Sequence, residues 1–257
     1  MAGYLNGSFA RFLHRRALAR WSAAARGAMQ TDLPVLRAQR RQARQLRGAL
    51  QEFSAIADTR LTLPVIGSDS FPRPTGTDWA WRPDAWRLGL PAPGSAGFSD
   101  RVALCEGLTV FHDCPAREIA LRQIRNTSKS DLAPFGIAIE VFNFEGNFLS
   151  LAVDLPPAAC EGLRKRHLFS LSTLITAEFP LIAYARLNIK NGPNTDQDIK
   201  TLMLDQPDAP LTFDLVNDQI QIARVEKIWI DLIFEKPKLN LITIRDFTLC
   251  RHLRAAF

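Results

Sequence analysis

The stretch that decides the fold reads Gly136-Ile137-Ala138-Ile139-Glu140-Val141-Phe142-Asn143-Phe144, then Glu145-Gly146-Asn147, then Phe148-Leu149-Ser150-Leu151-Ala152-Val153-Asp154. Two runs of β-branched and aromatic residues flank a tight glycine-containing turn, a pattern that predicts a β-hairpin. A second such pair joins residues 225–234 to 241–249 across a turn at Pro237, which cannot donate a ladder hydrogen bond. Both pairs predict antiparallel β-structure.

Further strand patterns lie around these two pairs. They cover residues 108–112, 118–124, 167–178, 181–189, 199–204 and 211–216. One short helical insertion is predicted among them, at residues 157–166, so the pattern argues against βαβ units. About ten short strands therefore predict a mainly β protein, an antiparallel two-sheet β-sandwich of the jelly-roll kind over residues 101–257.

Residues 1–57 form a different zone, a basic helical arm. This zone contains ten arginines, no lysine and only two acids, Asp32 and Glu52, whereas the whole chain has a net charge of +6. In the first predicted helix, arginines fall away from the apolar positions. Those apolar positions are Phe9, Phe12, Leu13, Ala17, Trp21, Ala24 and Ala28.

The second helix of the arm is predicted for residues 32–53, with Thr31 or Asp32 as N-cap and Pro34 in its first turn. It carries a short heptad seam. The seam residues are Leu36, Ala43 and Leu50, interleaved with Gln39, Leu46 and Phe53. The seam suggests a helical hairpin or a self-association stalk, so a homo-oligomer is one expectation.

Three uses of the arm compete. Arginines beside an apolar face can hold a helix on an anionic membrane surface, and the candidate residues are Arg11, Arg15, Arg16, Arg20 and Trp21. The same charge can bind nucleic-acid phosphates, but no nucleic-acid-binding motif accompanies it, so that partner is disfavoured. In the third interpretation, the helices pack their apolar faces within the protein and leave the arginines in solvent.

Residues 58–100 are predicted to form a strap or linker between the arm and the sandwich. Six prolines and five glycines between residues 64 and 98 predict the absence of regular structure. Trp79, Trp81 and Trp86 need a surface to pack against, which predicts an ordered strap over the sandwich. The same tryptophans are candidates for stacking against a saccharide.

The most polar segment within the sandwich is residues 186–196. Its ligand-binding candidates are Arg186, Asn188, Asn191, Asn194 and Asp196. On a loop at a sheet edge, such side chains can hydrogen-bond sugar hydroxyls or coordinate calcium through oxygen. A tight turn requires the same residue types, so both interpretations stay open.

The four cysteines show no CxxC spacing, which predicts free thiols and no bound metal or other cofactor. One arrangement would nevertheless offer zinc ligands. His112 and Cys114, and likewise Cys250 and His252, are spaced to share a face of a strand. A tetrahedral site would require those two strands to lie side by side.

No catalytic motif is present: GxSxG, GxxxxGK[ST], HExxH and GxGxxG are all absent. We therefore assign no catalytic residue. Glycoside hydrolysis needs only two suitably separated carboxylates. The available carboxylates are Glu140, Glu145, Asp154, Asp196 and Asp231.

Four segments carry a resemblance to a known family: residues 76–83, 111–115, 118–126 and 191–195. At these positions the chain resembles an uncharacterised family of alphaproteobacterial proteins, over roughly residues 76–254. The strand pair at 225–249 belongs to the resemblance as well. It implies a bacterial origin and a domain of unknown function, and it assigns no activity, cofactor or residue.

We expect, from the sequence, a non-catalytic binding module for glycan or protein ligands with a basic amphipathic arm. The alternatives are a polysaccharide-active enzyme using paired carboxylates, and an assembly protein oligomerised through the N-terminal helices. No apolar run reaches the roughly 20 residues that span a bilayer, and the first residues do not resemble a secretory signal. The expected location is the cytoplasm, with peripheral membrane association through the arm.

Overall fold

The computed structural model describes residues 7–62, 70–128, 131–204, 210–215 and 222–254. The chain divides into two structural units, Met1–Phe53 and Ser54–Phe257. The described residues of the first unit are mainly helical. The second contains the sandwich together with the segment that the sequence suggested to be a separate strap.

The arm is a helical hairpin. Helix α1 covers Gly7–Gly27, a 3₁₀ turn covers Ala28–Gln30, and helix α2 covers Leu33–Thr62. Helix α2 therefore runs well past Phe53, the end predicted for it. A hydrogen bond of 3.1 Å from Arg20 Nη2 to Gln42 Oε1 joins the two helices. Thr31, one of the two predicted N-caps, donates its hydroxyl to Gly27 O at the end of α1 instead.

The apolar seam of α2 is covered only in its first half. Leu36, Gln39 and Ala43 are half-buried, whereas Leu46, Leu50 and Phe53 are exposed. On α1, Phe12, Leu13 and Leu18 are exposed as well. The arm therefore has apolar side chains that the packing within its own hairpin leaves in solvent.

The sandwich is built from short strands. The described strands are β1 Thr77–Trp81, β2 Gly94–Ala96, β3 Arg101–Cys105, β4 Leu108–His112, β5 Ile119–Arg125, β6 Phe135–Val141, β7 Leu149–Asp154, β8 His167–Ala177, β9 Ile182–Asn191, β10 Asn194–Leu202, β11 Leu211–Asp214, β12 Val225–Glu235 and β13 Asn240–Leu253. A four-residue helix, α3, covers Asp84–Arg87. Short 3₁₀ turns cover Pro157–Ala159 and Ile222–Arg224.

These strands form two antiparallel sheets. Sheet 1 has the order β11-β8-β13-β6-β5-β2, with β1 pairing beside β13, and sheet 2 has the order β10-β9-β12-β7-β4-β3. The inner face of each sheet is apolar: Ile139 and Ile244 of sheet 1, and Leu151 and Ile230 of sheet 2, are fully buried. The predicted fold class, a mainly β two-sheet sandwich with an N-terminal helical arm, is confirmed.

Both predicted hairpins are wrong in their pairing. Strand β6 pairs with β5 and β13 in sheet 1, whereas β7 pairs with β12 and β4 in sheet 2. Strands β12 and β13 are likewise in different sheets. In each case the turn carries the chain from one sheet to the other across the core. The local pattern of strand, turn and strand is the same for a hairpin within one sheet and for a turn that joins two sheets. Only the packing of the strands distinguishes the two.

Asp113 holds the connection between β6 and β7. Its carboxylate accepts hydrogen bonds from the backbone N–H groups of Asn147 and Phe148 and from the Asn147 side chain, at 2.8–3.1 Å. Burial acts to raise the pKa of Asp113, but these hydrogen bonds lower it below its ordinary value. A Cβ atom at Gly146 would overlap Asp113 Oδ1, so glycine is required at this turn.

The predicted absence of regular structure in residues 64–98 is wrong for the described part of this segment. Strands β1 and β2 belong to sheet 1, and α3 lies between them. Trp86 on α3 is fully buried, stacks on Phe247 with ring centroids 5.4 Å apart, and donates to Ile244 O. The segment is part of the sandwich because its tryptophans complete the core.

A buried ion pair locks the segment after β1 onto β13. The Arg82 guanidinium donates Nε and Nη2 to the two carboxylate oxygens of Asp246, each at 3.0 Å. The Arg82 side chain is fully buried and that of Asp246 is 15% exposed. Burial raises the pKa of Asp246 above its ordinary value, and the Arg82 charge offsets part of that effect.

A second polar cluster fastens the connection between β7 and β8. Arg251 donates to both carboxylate oxygens of Asp78 at 3.0 and 3.1 Å, and to the carbonyl oxygens of Ala159 and Glu161. His167 Nδ1 accepts from the Arg164 N–H, so Nε2 carries the proton and faces Asp78 Oδ2 at 3.2 Å. Of the helix predicted at 157–166, the structure has only the 3₁₀ turn Pro157–Ala159. Arg251 occupies the carbonyl oxygens of Ala159 and Glu161, which a longer helix would use for its own hydrogen bonds.

This cluster predicts a loss of stability in mild acid. Burial lowers the pKa of His167 below its ordinary 6.5, although the Asp78 charge acts in the opposite direction. The folded protein therefore binds the proton more weakly than the unfolded chain, and stability present above pH 6.5 is lost as the pH falls. We expect the free energy of unfolding, measured by urea titration, to decrease between about pH 7.5 and pH 5.

Two separate histidine substitutions provide the control for this prediction. His167→Gln should flatten that part of the pH profile, whereas His14→Gln, on the exposed surface of α1, should leave it unchanged. Asp78 adds a loss only at lower pH: burial acts to raise its pKa, but Arg251 and His167 lower it below 3.8. A wild-type profile that is flat across this range would contradict the assignment to His167.

Candidate functional site

Sheet 2 turns one of its faces outward, away from the core. Alternate residues of each strand point to this face, and the strand register aligns them in rows. One row is Arg186, Asp231, Ala152 and Thr109; the next is Tyr184, Ile233, Ser150 and Phe111; a third is Asn188, Trp229 and Asp154; and Lys190 faces Lys227 in a fourth. We call these residues the sheet-2 face.

A fixed polar network occupies the centre of the sheet-2 face. Arg186 donates Nε at 3.0 Å and Nη2 at 2.7 Å to Asp231 Oδ2, and Asn188 Nδ2 donates to the same oxygen at 2.9 Å. None of these three bonds uses Asp231 Oδ1. The direct cross-strand register of Arg186 and Asp231 brings the two charges together, so the network is organised before any ligand arrives.

The side-chain amide of Asn188 is oriented so that its NH₂ group donates to the network and its carbonyl oxygen is left without a hydrogen bond among the described residues. Its side chain is fully buried, with Nδ2 donating to Asp231 and to Arg186 O. Within the part of the chain that the structure describes, Asn188 Oδ1 has no hydrogen-bond partner. An unpaired buried acceptor costs about 1–3 kcal/mol. The orientation of Asn188 therefore serves the position of the Asp231 carboxylate.

Aromatic side chains stand on the sheet-2 face beside the network. Trp229 is half-buried next to Asp231 along β12, and the Lys227 ammonium lies 5.7 Å from its ring centroid. Tyr184, also half-buried, donates its hydroxyl to Glu235 at 3.2 Å. Along β7, the neighbouring positions hold only Ser150 and Ala152. Ser150 is buried and Ala152 is half-buried, so the small side chains of β7 lie between the larger ones of β12 and β4.

A cleft of about 500 Å³ adjoins this face at one end of the sandwich. Trp81 forms part of its wall, and Cys105, Glu106, Pro156 and Glu226 are among its other lining residues. Asp154 and Lys227 line the cleft and also belong to the sheet-2 face, where they pair at 2.8 Å. The cleft and the face therefore share these two residues.

The three predicted strap tryptophans have different positions. Trp86 is in the core and is not accessible to a ligand, so it is removed from the candidates. Trp79 is half-buried and packs against Trp81 and Phe169, with ring centroids 6.3 Å apart in both pairs. Trp81 alone among the three lines the cleft.

Residues 186–196, predicted as a loop, are the hairpin of β9 and β10. Arg186 and Asn188 lie on the sheet-2 face, whereas Asp196 is opposite Ile189, whose side chain faces the core. Asn191 is buried and Asn194 is exposed next to the turn at Gly192, whose positive φ of 61° suits glycine. The predicted set is therefore divided: two members reach the network and three serve the turn and the edge strand.

The arrangement that would have offered zinc ligands does not form. His112 ends β4 in sheet 2, whereas Cys250 and His252 are on β13 in sheet 1, so the strands are not neighbours. His112 Nδ1 accepts from the Cys114 N–H, and His252 Nε2 is 2.9 Å from Ser170 Oγ. Among the described residues, no group of three or more His, Cys, Asp or Glu is placed to hold a metal ion.

The membrane candidates of the arm lie on α1. Arg11, Arg15, Arg16 and Arg20 are exposed, and Trp21 is half-buried. The Arg20 guanidinium lies 5.5 Å from the Trp21 ring centroid, so this ring is partly covered within the arm. The described helices include none long and apolar enough to cross a bilayer.

Comparison with known proteins identifies the family of this chain. A family model described as a family of unknown function, DUF6478, matches residues 1–257, the whole chain. The chain belongs to the DUF6478 family. The expected membership of an uncharacterised family is thereby confirmed. No curated protein sequence matches this DUF6478 chain.

The solved structures that this DUF6478 protein resembles have low sequence identity to it. The enzymatically active domain of bacteriophage CBA120 tailspike protein 4 has a TM-score of 0.42 and 8% identity, over 66% of this chain and 23% of that chain. The DUF6478 chain thus spans about a quarter of the tailspike domain. The family 11 carbohydrate-binding module from Clostridium thermocellum has a TM-score of 0.39 and 9% identity, over 63% and 97% of the two chains. The C-terminal family 22 carbohydrate-binding module of Clostridium thermocellum Xyn10B has a TM-score of 0.34 and 12% identity, over 73% and 99%.

Sequence reasoning about this DUF6478 protein missed Trp229, and it named Asp231 only among the carboxylates available for catalysis. Trp229 and Asp231 alternate along β12 with fully buried Ile228 and Ile230. The period of two in residues 225–234 assigns them to the solvent-facing side of a strand. Nothing in the sequence, however, states that β12 lies next to β9, so their proximity to Arg186 and Asn188 was not predictable.

Proposed function

We propose that this DUF6478 protein is a non-catalytic glycan-binding module whose ligand lies on the sheet-2 face. One observation carries the proposal: Trp229 and Tyr184 flank an Asp231 carboxylate that three hydrogen bonds hold in place. Sugar rings have apolar C–H faces and polar hydroxyl edges. Aromatic rings accommodate the first, and fixed acceptors and donors accommodate the second.

The length of the sheet-2 face supports a polymer as the ligand. The strand register sets Phe111 on β4 and then Asp231 and Trp229 on β12 in successive rows of this face. Asp154 and Lys227 continue this surface to the cleft that Trp81 lines. A chain of several sugars would therefore meet polar and aromatic contacts in succession, which a single sugar would not.

The test is a binding screen of the full chain against polysaccharides and oligosaccharides of bacterial envelopes, followed by titration calorimetry on every hit. A hit that requires the sheet-2 face supports the proposal. Binding that Trp81→Ala removes and Trp229→Ala preserves would move the ligand into the cleft. A complete lack of binding to every glycan in the panel would overturn the proposed function.

The arm supports a second activity, attachment to an anionic membrane surface. Phe12, Leu13 and Leu18 on α1 and Leu46, Leu50 and Phe53 on α2 are 42–68% exposed. Ten arginines accompany them within residues 1–57. Two such arms would repel each other, whereas an anionic lipid surface attracts the charge and accepts the apolar side chains.

We expect the full chain to sediment with vesicles of phosphatidylcholine and phosphatidylglycerol and to be released by salt. Replacing both Phe12 and Leu13 with serine should reduce the bound fraction several-fold, because it removes apolar area. Leu253→Ser is the control, an exposed leucine of the sandwich. If the arm instead self-associates, light scattering will give a dimeric mass that these substitutions restore to a monomer, and the membrane assignment will be wrong.

A further inference from the structure

We propose that the ligand of the sheet-2 face is an uncharged polysaccharide, held through neighbouring hydroxyl groups by the ion pairs Arg186–Asp231 and Lys227–Asp154. This inference rests on the proposed function and adds the chemical class of the glycan. The inference follows from the pairing of cations with carboxylates on this face. Such a site would distinguish sugars by their charge and prefer those without one.

Each cation that β9 and β12 place on the sheet-2 face is paired with a carboxylate. Arg186 pairs with Asp231 at 2.7 Å, Lys190 with Glu226 at 2.7 Å, and Lys227 with Asp154 at 2.8 Å. Among the described residues, one further cation lies on the same side of sheet 2: Arg101, opposite Phe111 on edge strand β3 and directly after Asp100. The middle of the face therefore presents many polar atoms and little net charge.

A charged sugar would have to compete with these pairs. A uronate or a sulfate can bind Lys227 only against Asp154, and it would meet the Asp154 charge at close range. A protonated amino sugar would meet Lys227 in the same way. At Arg186 the competition is harder still, because the Asp231 side chain is only 8% exposed and separating a partly buried pair leaves a charge without its partner.

An uncharged sugar can use the pairs as they stand. An ammonium has three donors, and a carboxylate has about four acceptor positions, so each group keeps free capacity after the ion pair has formed. A hydroxyl group both donates and accepts. Two neighbouring hydroxyls can therefore donate to Asp154 or to Asp231 Oδ1 and accept from the adjacent cation. Trp229, between the two pairs in the register, provides the surface for the sugar ring.

The experiment measures binding of the full chain to hydroxyethyl cellulose and dextran as neutral polymers, alginate as a polyuronate and chitosan as a polyamine. We expect binding to a neutral polymer, with a dissociation constant that changes less than about twofold between low and high salt, since no net charge is neutralised. Alginate and chitosan should bind at least about tenfold more weakly.

Asp154→Asn tests the charge matching directly. It frees Lys227 beside Trp229, so it should create binding to alginate that high salt abolishes, and it should weaken binding to the neutral polymer about tenfold. Asp198→Asn is the matched control. It frees Lys200 from a pair of 3.4 Å on edge strand β10, at positions opposite Leu187 and Ala185, on the other side of the sheet. It should change neither binding.

The outcomes separate the two proposals. Wild-type protein that prefers alginate or chitosan, with strong salt dependence, overturns this inference and leaves glycan binding intact. Wild-type protein that binds none of the polymers, in this set and in the envelope panel, overturns the proposed function and this inference with it. Asp154→Asn protein that gains no affinity for alginate, while still binding the neutral polymer, shows that the pair does not set the charge preference.

Discussion

Replacing Trp229 with alanine is expected to weaken binding of the neutral polysaccharide by about 30-fold, or about 2 kcal/mol. The indole is the largest aromatic surface beside the Arg186–Asp231 network, and alanine offers no ring for a sugar to stack on. The fold should survive, because Trp229 points away from the core and is only half-buried. Titration calorimetry measures the affinity, and far-UV circular dichroism checks the fold.

Two other tryptophan substitutions act as controls for this result. Trp21→Ala removes the same residue type from the arm and should leave the affinity unchanged. Trp229→Phe keeps a smaller ring, so its affinity for the neutral polysaccharide should lie between the affinities of the wild type and of Trp229→Ala. Equal losses in Trp21→Ala and Trp229→Ala would show that the effect does not come from the sheet-2 face.

Replacing Arg82 with alanine is expected to lower the free energy of unfolding by about 3–5 kcal/mol. The substitution leaves the Asp246 carboxylate, whose side chain is 15% exposed, without the guanidinium that donates to both of its oxygens. It also removes the tie between the segment after β1 and the central strand β13. Urea unfolding followed by tryptophan fluorescence gives the value directly.

The control for Arg82 is an exposed ion pair in the same sheet. Arg122 pairs with Glu140 at 2.7 Å, with the two side chains 53% and 30% exposed, so Arg122→Ala should cost no more than about 1 kcal/mol. Arg82→Lys cannot form the two parallel hydrogen bonds and should recover only part of the loss. Similar losses for Arg82→Ala and Arg122→Ala would contradict the role assigned to burial.

Part of the candidate site was predictable from residue types alone. Arg186 and Asn188 stood out as members of residues 186–196, the most polar segment of the sandwich, and both belong to the central network. Asp231 was named only as an available carboxylate, and Trp229 could be recognised only as an outward-facing residue of a strand. The network exists because β9 and β12 are neighbours, and they are distant in sequence, so no local pattern connects them.

Some of the strands, too, were predictable from local sequence and others were not. Strands β4 to β9 and β11 to β13 lie close to the predicted positions, because alternation and turn residues are local signals. Strand β10 begins at Asn194, within the segment predicted as a loop and ahead of the strand predicted at 199–204. Strands β1, β2 and β3 were missed, since proline and glycine around β1 and β2 obscure the pattern. Their pairing with β13, β5 and β4 supplies the hydrogen bonds that the local sequence does not predict.

The amino-acid sequence by itself determined that this chain is a β-sandwich with a basic helical arm, because hydrophobic period and charge density are properties of contiguous residues. Only the tertiary structure decided which strands pair, and hence that two apparent hairpins cross between sheets. It also decided that Trp86 is core and that Trp229 lies beside Arg186 and Asp231. The physical reason is that side-chain period assigns a residue to one face of a strand, whereas the neighbour it meets on that face depends on burial of the whole core.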